Sequence, residues 1–295
     1  MLQLNGLGTA LITPFLPNGA VDYDGLRRLL DIQLKGGVDY IVVLGTTGES
    51  ATMTEQERKE VRQFIVRYIA GRMPLVLGLG GNNTAALVAD LEAMKYELQR
   101  DFVAILSVCP FYNKPSQDGL YQHFTAVAEH SPLPVILYNV PGRTGVNLLP
   151  ETVMRIFEAM SEKIMGIKEA SGNIEQIKHL IDLTKNQPVA GGRFLLVISG
   201  DDGIAADVMM AGGAGLISVA ANAWPKEYGQ IVRKQDIQLQ NRFANMVHLL
   251  FKEGNPSGIK TVLSEMGVIH NVLRLPLVPN SMAVQDEIRS YLNNY

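Results

Sequence analysis

In the stretch MGIKEASGN (165–173) a single lysine, Lys168, stands where a short apolar run gives way to Ser171, Gly172 and Asn173. A lysine amine is nucleophilic only when neutral, and a reference pKa near 10.4 leaves roughly one in a few thousand neutral at pH 7. Withdrawing lysine from water disfavours the ammonium, by up to about 3–5 units in buried positions. A neutral amine condenses with a carbonyl to a Schiff base, and the iminium drains electrons from the adjacent carbon. That carbon can then lose a proton and attack a second carbonyl, with no metal required. For this stretch alone, a surface lysine opening a loop is the plainer alternative.

Other reactive residue types stand at comparable places. GTTGES (45–50) holds Thr46 and Thr47 in a glycine-bounded turn whose N–H groups suit a carboxylate. CPFYNKPS (109–116) carries Tyr112, and YNVPGRTG (138–145) carries Tyr138 and Arg143. A phenol can pass protons, and a guanidinium offers a planar fork to a second carboxylate. Each also has a plain interpretation: a tight turn, rim packing by the tyrosines, an exposed loop charge. Asp201 and Asp202 in SGDD read as helix-capping acids rather than catalytic ones. No carboxylate pair appears. The five histidines (His123, His130, His179, His248, His270) show no metal-ligand spacing, so no zinc chemistry is expected.

The elements that must position these residues follow from periodicity. Short β-branched runs, GTALITPF, YIVVLG, PLVLGLG, FVAILSV, PVILYN, IMGIKE, FLLVISG and GLISVA, alternate with stretches of helical period. Leu26, Leu29, Leu30 and Leu34 form one helical face, and Leu120, Phe124, Val127 and Ala128 another. Thr54 and Glu57 make a capping box. Eight strand–helix units predict a (β/α)8 TIM barrel, whose C-terminal strand ends carry the chemistry. The joint placement of the reactive residues at those ends favours a lysine-centred site. An open doubly wound sheet wants a G-x-G-x-x-G after the first strand, which GTALITPFLPNG does not supply. Alternation stops near Trp224. Residues 1–224 are therefore expected to form the barrel and 225–295 a helical C-terminal extension, with no linker between them.

Composition fits a large core. Of 295 residues, 47% are hydrophobic and 19% charged, and the net charge is −3 with no basic run. Nucleic acid and anionic membranes are poor partners for such a chain. One cysteine, Cys109, excludes an intramolecular disulfide. No apolar stretch reaches spanning length, and the N-terminus lacks a basic leader, so cytoplasm is the default expectation.

GTTGESATM, YNVPGRTG, GIKEASGN and SGDD together resemble the pyruvate-dependent class I aldolases of the dihydrodipicolinate synthase and N-acetylneuraminate lyase superfamily, and within it the first-named branch. The likeness runs from about Gly6 to Lys260 and includes PFYNKPSQDGLYQHF and LLPETV. It implies that Lys168 forms the Schiff base with pyruvate and that Thr47, Tyr112 and Tyr138 form a proton relay. Tyr112 would enter a neighbouring subunit's site. Thr46 and Thr47 would bind the pyruvate carboxylate and Arg143 that of L-aspartate 4-semialdehyde, while Gly200 and Ile217 line the pocket. No cofactor or metal is implied. The implied assembly is a dimer of dimers, and the implied route is diaminopimelate and lysine biosynthesis in the cytoplasm. Other branches, acting on sialic acid or 4-hydroxy-2-oxoglutarate, generally lack an arginine at the position of Arg143. A catalytically silent metabolite-binding barrel would have lost Lys168 or the tyrosines.

Two departures stand out. The family's E-x-N-P-x-P-x-K reads EGNPSGIK, with glycine for the second proline. In the cleft where lysine-inhibited members bind free lysine, Ser50, Ala51 and Asn82 match. Glu55 and Arg58 occupy the two helix positions, Ala86 that of a glutamate and Phe111 that of a tyrosine. Without the glutamate, a bound α-ammonium would be desolvated with no partner, so inhibition by lysine is expected to be weak or absent.

Overall fold

A computed structural model describes residues 4–186 and 194–294. Its strands are β1 (Gly6–Ala10), β2 (Tyr40–Val43), β3 (Leu75–Gly78), β4 (Ala104–Val108), β5 (Val135–Asn139), β6 (Ile164–Glu169), β7 (Leu196–Ser199) and β8 (Gly215–Ser218). They close in sequence order into a barrel, with helices between them and further helices after β8. The paired strands run parallel, with Leu137 opposite Ile167 and Tyr138 opposite Lys168. This is the (β/α)8 architecture the alternation predicts.

The first strand differs from expectation in its bounds. It begins at Gly6, two residues before GTALITPF, and ends at Ala10. Leu11 still donates to Val42 O, but Ile12 N turns to the Asn222 side chain, and Pro14 has no N–H to continue a ladder.

By contact clustering the chain comprises two compact units, one taking in Pro74–Ile217 and the other Gly6–Met73 with Ser218–Tyr295. In the first, the helix Gln117–His130 buries Leu120, Phe124, Val127 and Ala128, the face its period predicts. Ser116 caps it, accepting from Gly119 N.

In the second, the helix Tyr23–Gly36 buries Leu26, Leu29 and Leu30, while Leu34 stays half-buried and Gln33 takes the remaining inward place. Gln33 is satisfied there: it accepts from Thr9 Oγ1 at 2.8 Å and donates to Asn222 O at 3.2 Å. The capping box of the helix Glu55–Ile69 forms as expected, with Thr54 N donating to Glu57 at 2.9 Å and Glu57 N to Thr54 Oγ1 at 3.2 Å. Arg274, from the chain beyond the last barrel strand, also binds Glu57 and holds its carboxyl down at about 2. Phe243 packs edge-on to Trp224 and tilted to Tyr228, each at a ring separation of 5.4 Å, and anchors the helices after the barrel.

Candidate active site

Lys168 and Tyr138 are register partners on adjacent parallel strands, so their side chains leave the sheet on the same face. Both are buried, at 5% and 7% exposure. Lys168 Nζ lies 4.4 Å from the centroid of the Tyr138 ring. An amine held against a phenol at a strand end is the arrangement that Schiff-base chemistry needs: a nucleophile withdrawn from water beside a group able to give and take a proton.

Gly200 follows β7 and donates its N–H to Glu169 O at 2.8 Å. A Cβ at this position would meet Ala170 Cβ at 2.6 Å and the Lys168 stem at 2.9 Å (Cε) and 3.1 Å (Cγ). The missing side chain therefore leaves the space to Ala170 and the Lys168 stem. Gly200→Ala is expected to fold, at a cost of about 1–3 kcal/mol for overpacking. It should slow pyruvate trapping by borohydride about a hundredfold, because displacing a reacting group by about 1 Å is enough for that. Trapping at the wild-type rate in a folded variant would refute the contact.

Residue 169 points the other way, and no motif in the sequence announces its role. Glu169 is buried and accepts from Asn139 Nδ2 at 2.9 Å, Gln176 Nε2 at 3.2 Å and Ser171 N at 2.7 Å. Asn147 bridges Asn139 and Gln176. This network ties the ends of β5 and β6 to the helix Ile174–Asn186, and so fixes the strand pair that carries Tyr138 and Lys168. Cys109, one strand along, donates its N–H to Tyr138 O at 2.9 Å. Its thiol is buried, and burial with the nearby Glu169 charge pushes it far above the usual thiol range.

Arg143 is exposed on a single helical turn, Pro141–Thr144, that follows β5. Tyr112 N donates to Thr144 O at 3.3 Å, which joins the Tyr112 loop to that turn. Tyr112 itself is 90% exposed with φ +74°, and Lys114 has φ +46°. A bulky residue in the left-handed region carries strain, here on a side chain that projects away from its own unit's core. The loop base is held by Asn113 Nδ2 to Asn82 O at 2.9 Å and Asn82 Nδ2 to Phe111 O at 3.1 Å.

Ile217 is buried in β8. Thr46 and Thr47 open a short helical turn, Thr46–Gly48, beyond the end of β2. The first N–H groups of such a turn have no acceptor within it, as carboxylate binding requires. Asp201 caps the turn Asp202–Ile204, accepting from Gly203 N at 2.8 Å, the structural role expected of it. His123 is a packed histidine: its Nδ1 is 2.9 Å from Thr84 Oγ1, and burial lowers its pKa to about 4. Among the described residues no three His, Cys, Asp or Glu side chains gather as a metal site, and no helix is long and apolar enough to cross a membrane.

A sequence model described as the dihydrodipicolinate synthetase family matches residues 3–295. The chain belongs to this family. It is thereby a lyase of the class I aldolase superfamily. A 4-hydroxy-tetrahydrodipicolinate synthase from Parabacteroides distasonis is 46% identical, over 99% of this chain and 97% of that protein. The crystal structure of dihydrodipicolinate synthase from Thermotoga maritima superposes with a TM-score of 0.92 at 38% identity, covering 99% of each chain. The chloride-inhibited enzyme from Acinetobacter baumannii, solved with pyruvate, gives a TM-score of 0.90 at 38% identity over 99% of each chain.

Proposed function

We propose that this family member condenses pyruvate with L-aspartate 4-semialdehyde, the 4-hydroxy-tetrahydrodipicolinate synthase reaction, through a Schiff base on Lys168. The observation that carries this is the Lys168–Tyr138 pair, buried at facing strand ends with the amine over the phenol. The amine adds to the keto carbon of pyruvate and water leaves. The methyl carbon gives up a proton, and the enamine attacks the aldehyde. Thr46 and Thr47 bind the pyruvate carboxylate, while Thr47, Tyr138 and Tyr112 pass protons. Gly200 and Ile217 line the pocket, and Arg143 takes the carboxylate of the second substrate. The iminium itself is the electron sink, so neither metal nor cofactor is needed. The pathway is the diaminopimelate route to lysine, in the cytoplasm.

Arg143 favours this reaction over cleavage of sialic acid or 4-hydroxy-2-oxoglutarate. Purified protein given pyruvate with L-aspartate 4-semialdehyde, and separately each of these two oxo-acids, decides between them: condensation with L-aspartate 4-semialdehyde alone supports the assignment, and cleavage of either oxo-acid without that condensation refutes it.

The exposed, strained Tyr112 supports a homo-oligomer, a dimer of dimers, in which this side chain completes a neighbour's site. Tyr112→Phe and Lys168→Ala, each nearly inactive, are expected to regain activity when dissociated, mixed and reassembled. Mixed assemblies unite a native Tyr112 with a native Lys168. No recovery after demonstrated subunit exchange would return Tyr112 to its own chain's site.

Inhibition by lysine should be slight. Arg58 is engaged by Glu55 at 2.7 Å, and Ala86 supplies no carboxylate. Millimolar lysine is expected to leave most activity at saturating pyruvate, and a sub-millimolar IC50 would contradict this.

A further inference from the structure

Within the second unit, the chain after the barrel supplies polar groups to the Thr46–Gly48 turn and its flank that the catalytic assignment leaves unused. Asn255 donates from Nδ2 to Thr47 Oγ1 at 2.9 Å, and both residues are buried, at 7% and 4% exposure. Around this contact the turn is fixed from several directions. Thr13 Oγ1 donates to Gly48 O at 2.8 Å. Glu49 ends the turn in the left-handed region, at φ +52°. Its carboxylate forms a fully buried ion pair with Lys260 and accepts from Arg274 N at 3.2 Å. Lys260 also donates to Val272 O at 2.9 Å.

With the backbone held and Oγ1 engaged by Asn255, the freedom left to Thr47 is rotation about its Cβ–Oγ bond. A hydroxyl carries one proton and accepts through its lone pairs, whereas the nitrogen of a side-chain amide only donates. An oxygen that accepts from Asn255 must send its own proton elsewhere.

We infer that Asn255 is a positioning residue that sets the direction of proton transfer at Thr47. By occupying one lone pair of Thr47 Oγ1, it commits the hydroxyl to donate outward, into the relay. The inference rests on the proposed membership of Thr47 in that relay. An ionised acceptor at position 255 would draw the same proton backwards, and no partner at all would let the hydroxyl rotate.

The test is a double-mutant cycle with Thr47→Val. Asn255→Asp is near-isosteric and, when ionised, only accepts. It should lower kcat about a hundredfold, the scale of one proton-transfer group, with KM for pyruvate within about threefold of wild type. Asn255→Ala should lower kcat about tenfold. In the Thr47→Val background either change should add less than about twofold, because the hydroxyl it acts on is gone. Thermal melting confirms folding, and if Asn255→Asp does not fold, Asn255→Ala carries the same cycle. A Thr47→Val enzyme with wild-type kcat would remove the relay assignment and this inference with it. An impaired Thr47→Val in which the losses at position 255 persist undiminished would overturn the positioning role alone. So would a lowered melting temperature with kcat per active site unchanged.

Discussion

Replacing Lys168 by alanine is expected to lower kcat by at least about four orders of magnitude and to leave no borohydride-stable pyruvyl adduct on the protein. In the unmodified enzyme the adduct should map to the peptide containing GIKEASGN, one pyruvyl unit per chain. A second buried lysine makes the mapping informative. Lys260 is pushed down to about 8 by burial, against the opposing pull of Glu49. On titration alone it would be a candidate nucleophile. Its surroundings argue otherwise: the ammonium is paired with the buried Glu49 carboxylate, donates to Val272 O, and lies 4.2 Å from the Phe15 ring centroid. Removing one member of such a buried pair strands the other's charge, so Lys260 reads as structural. An adduct on Lys260, or an unaltered adduct in Lys168→Ala, would overturn the assignment of the nucleophile.

Arg143→Ala is expected to separate the two substrates. Pyruvate binds first in the proposed sequence, so trapping should proceed at the wild-type rate. The kcat/KM for L-aspartate 4-semialdehyde should fall by about 30- to 1,000-fold, the scale for losing a charge-assisted, bidentate contact to a carboxylate. Arg143→Lys should recover only part of the loss, since a point charge cannot reproduce the fork. Equal damage to pyruvate trapping would show that the guanidinium supports Lys168 instead. The exposure of Arg143 on its one-turn helix suits a group that waits for the second substrate while the first is already covered.

The barrel was legible because its signals are local. Each apolar run is four to six residues long in the structure, and the helical faces repeat with the period that burial imposes. Lys168 could be singled out because a cation ending an apolar run is chemically conspicuous. The bounds of β1 were not legible: the strand begins at Gly6, at φ +93°, while the later residues LITPF look like strand until Pro14 interrupts them. Gly200 could be placed in the pocket by resemblance, but only the structure supplies the reason no side chain fits there, Ala170 together with the Lys168 stem. The left-handed backbone at Tyr112 carries no glycine or asparagine to announce it. The contact of Asn255 with Thr47 joins residues 208 apart in sequence, a separation about which spacing rules say nothing. Local pattern marked the elements and the proposed nucleophile. The groups proposed to orient the chemistry come from distant parts of the chain.

The chain's single thiol, on Cys109 just past β4, adjoins the strand pair that carries Tyr138 and Lys168, linked through its own N–H to the carbonyl of Tyr138. Buried and strongly biased towards the protonated form, it offers neither the access nor the thiolate that oxidants and alkylating agents require. The folded enzyme should therefore pass through oxidative conditions without modification at its centre. Any slow labelling that does occur must wait for the neighbourhood of β4 and β5 to open. The sequence thus contains a built-in clock for breathing motions beside the Lys168–Tyr138 strand pair, with no second cysteine to confuse its signal.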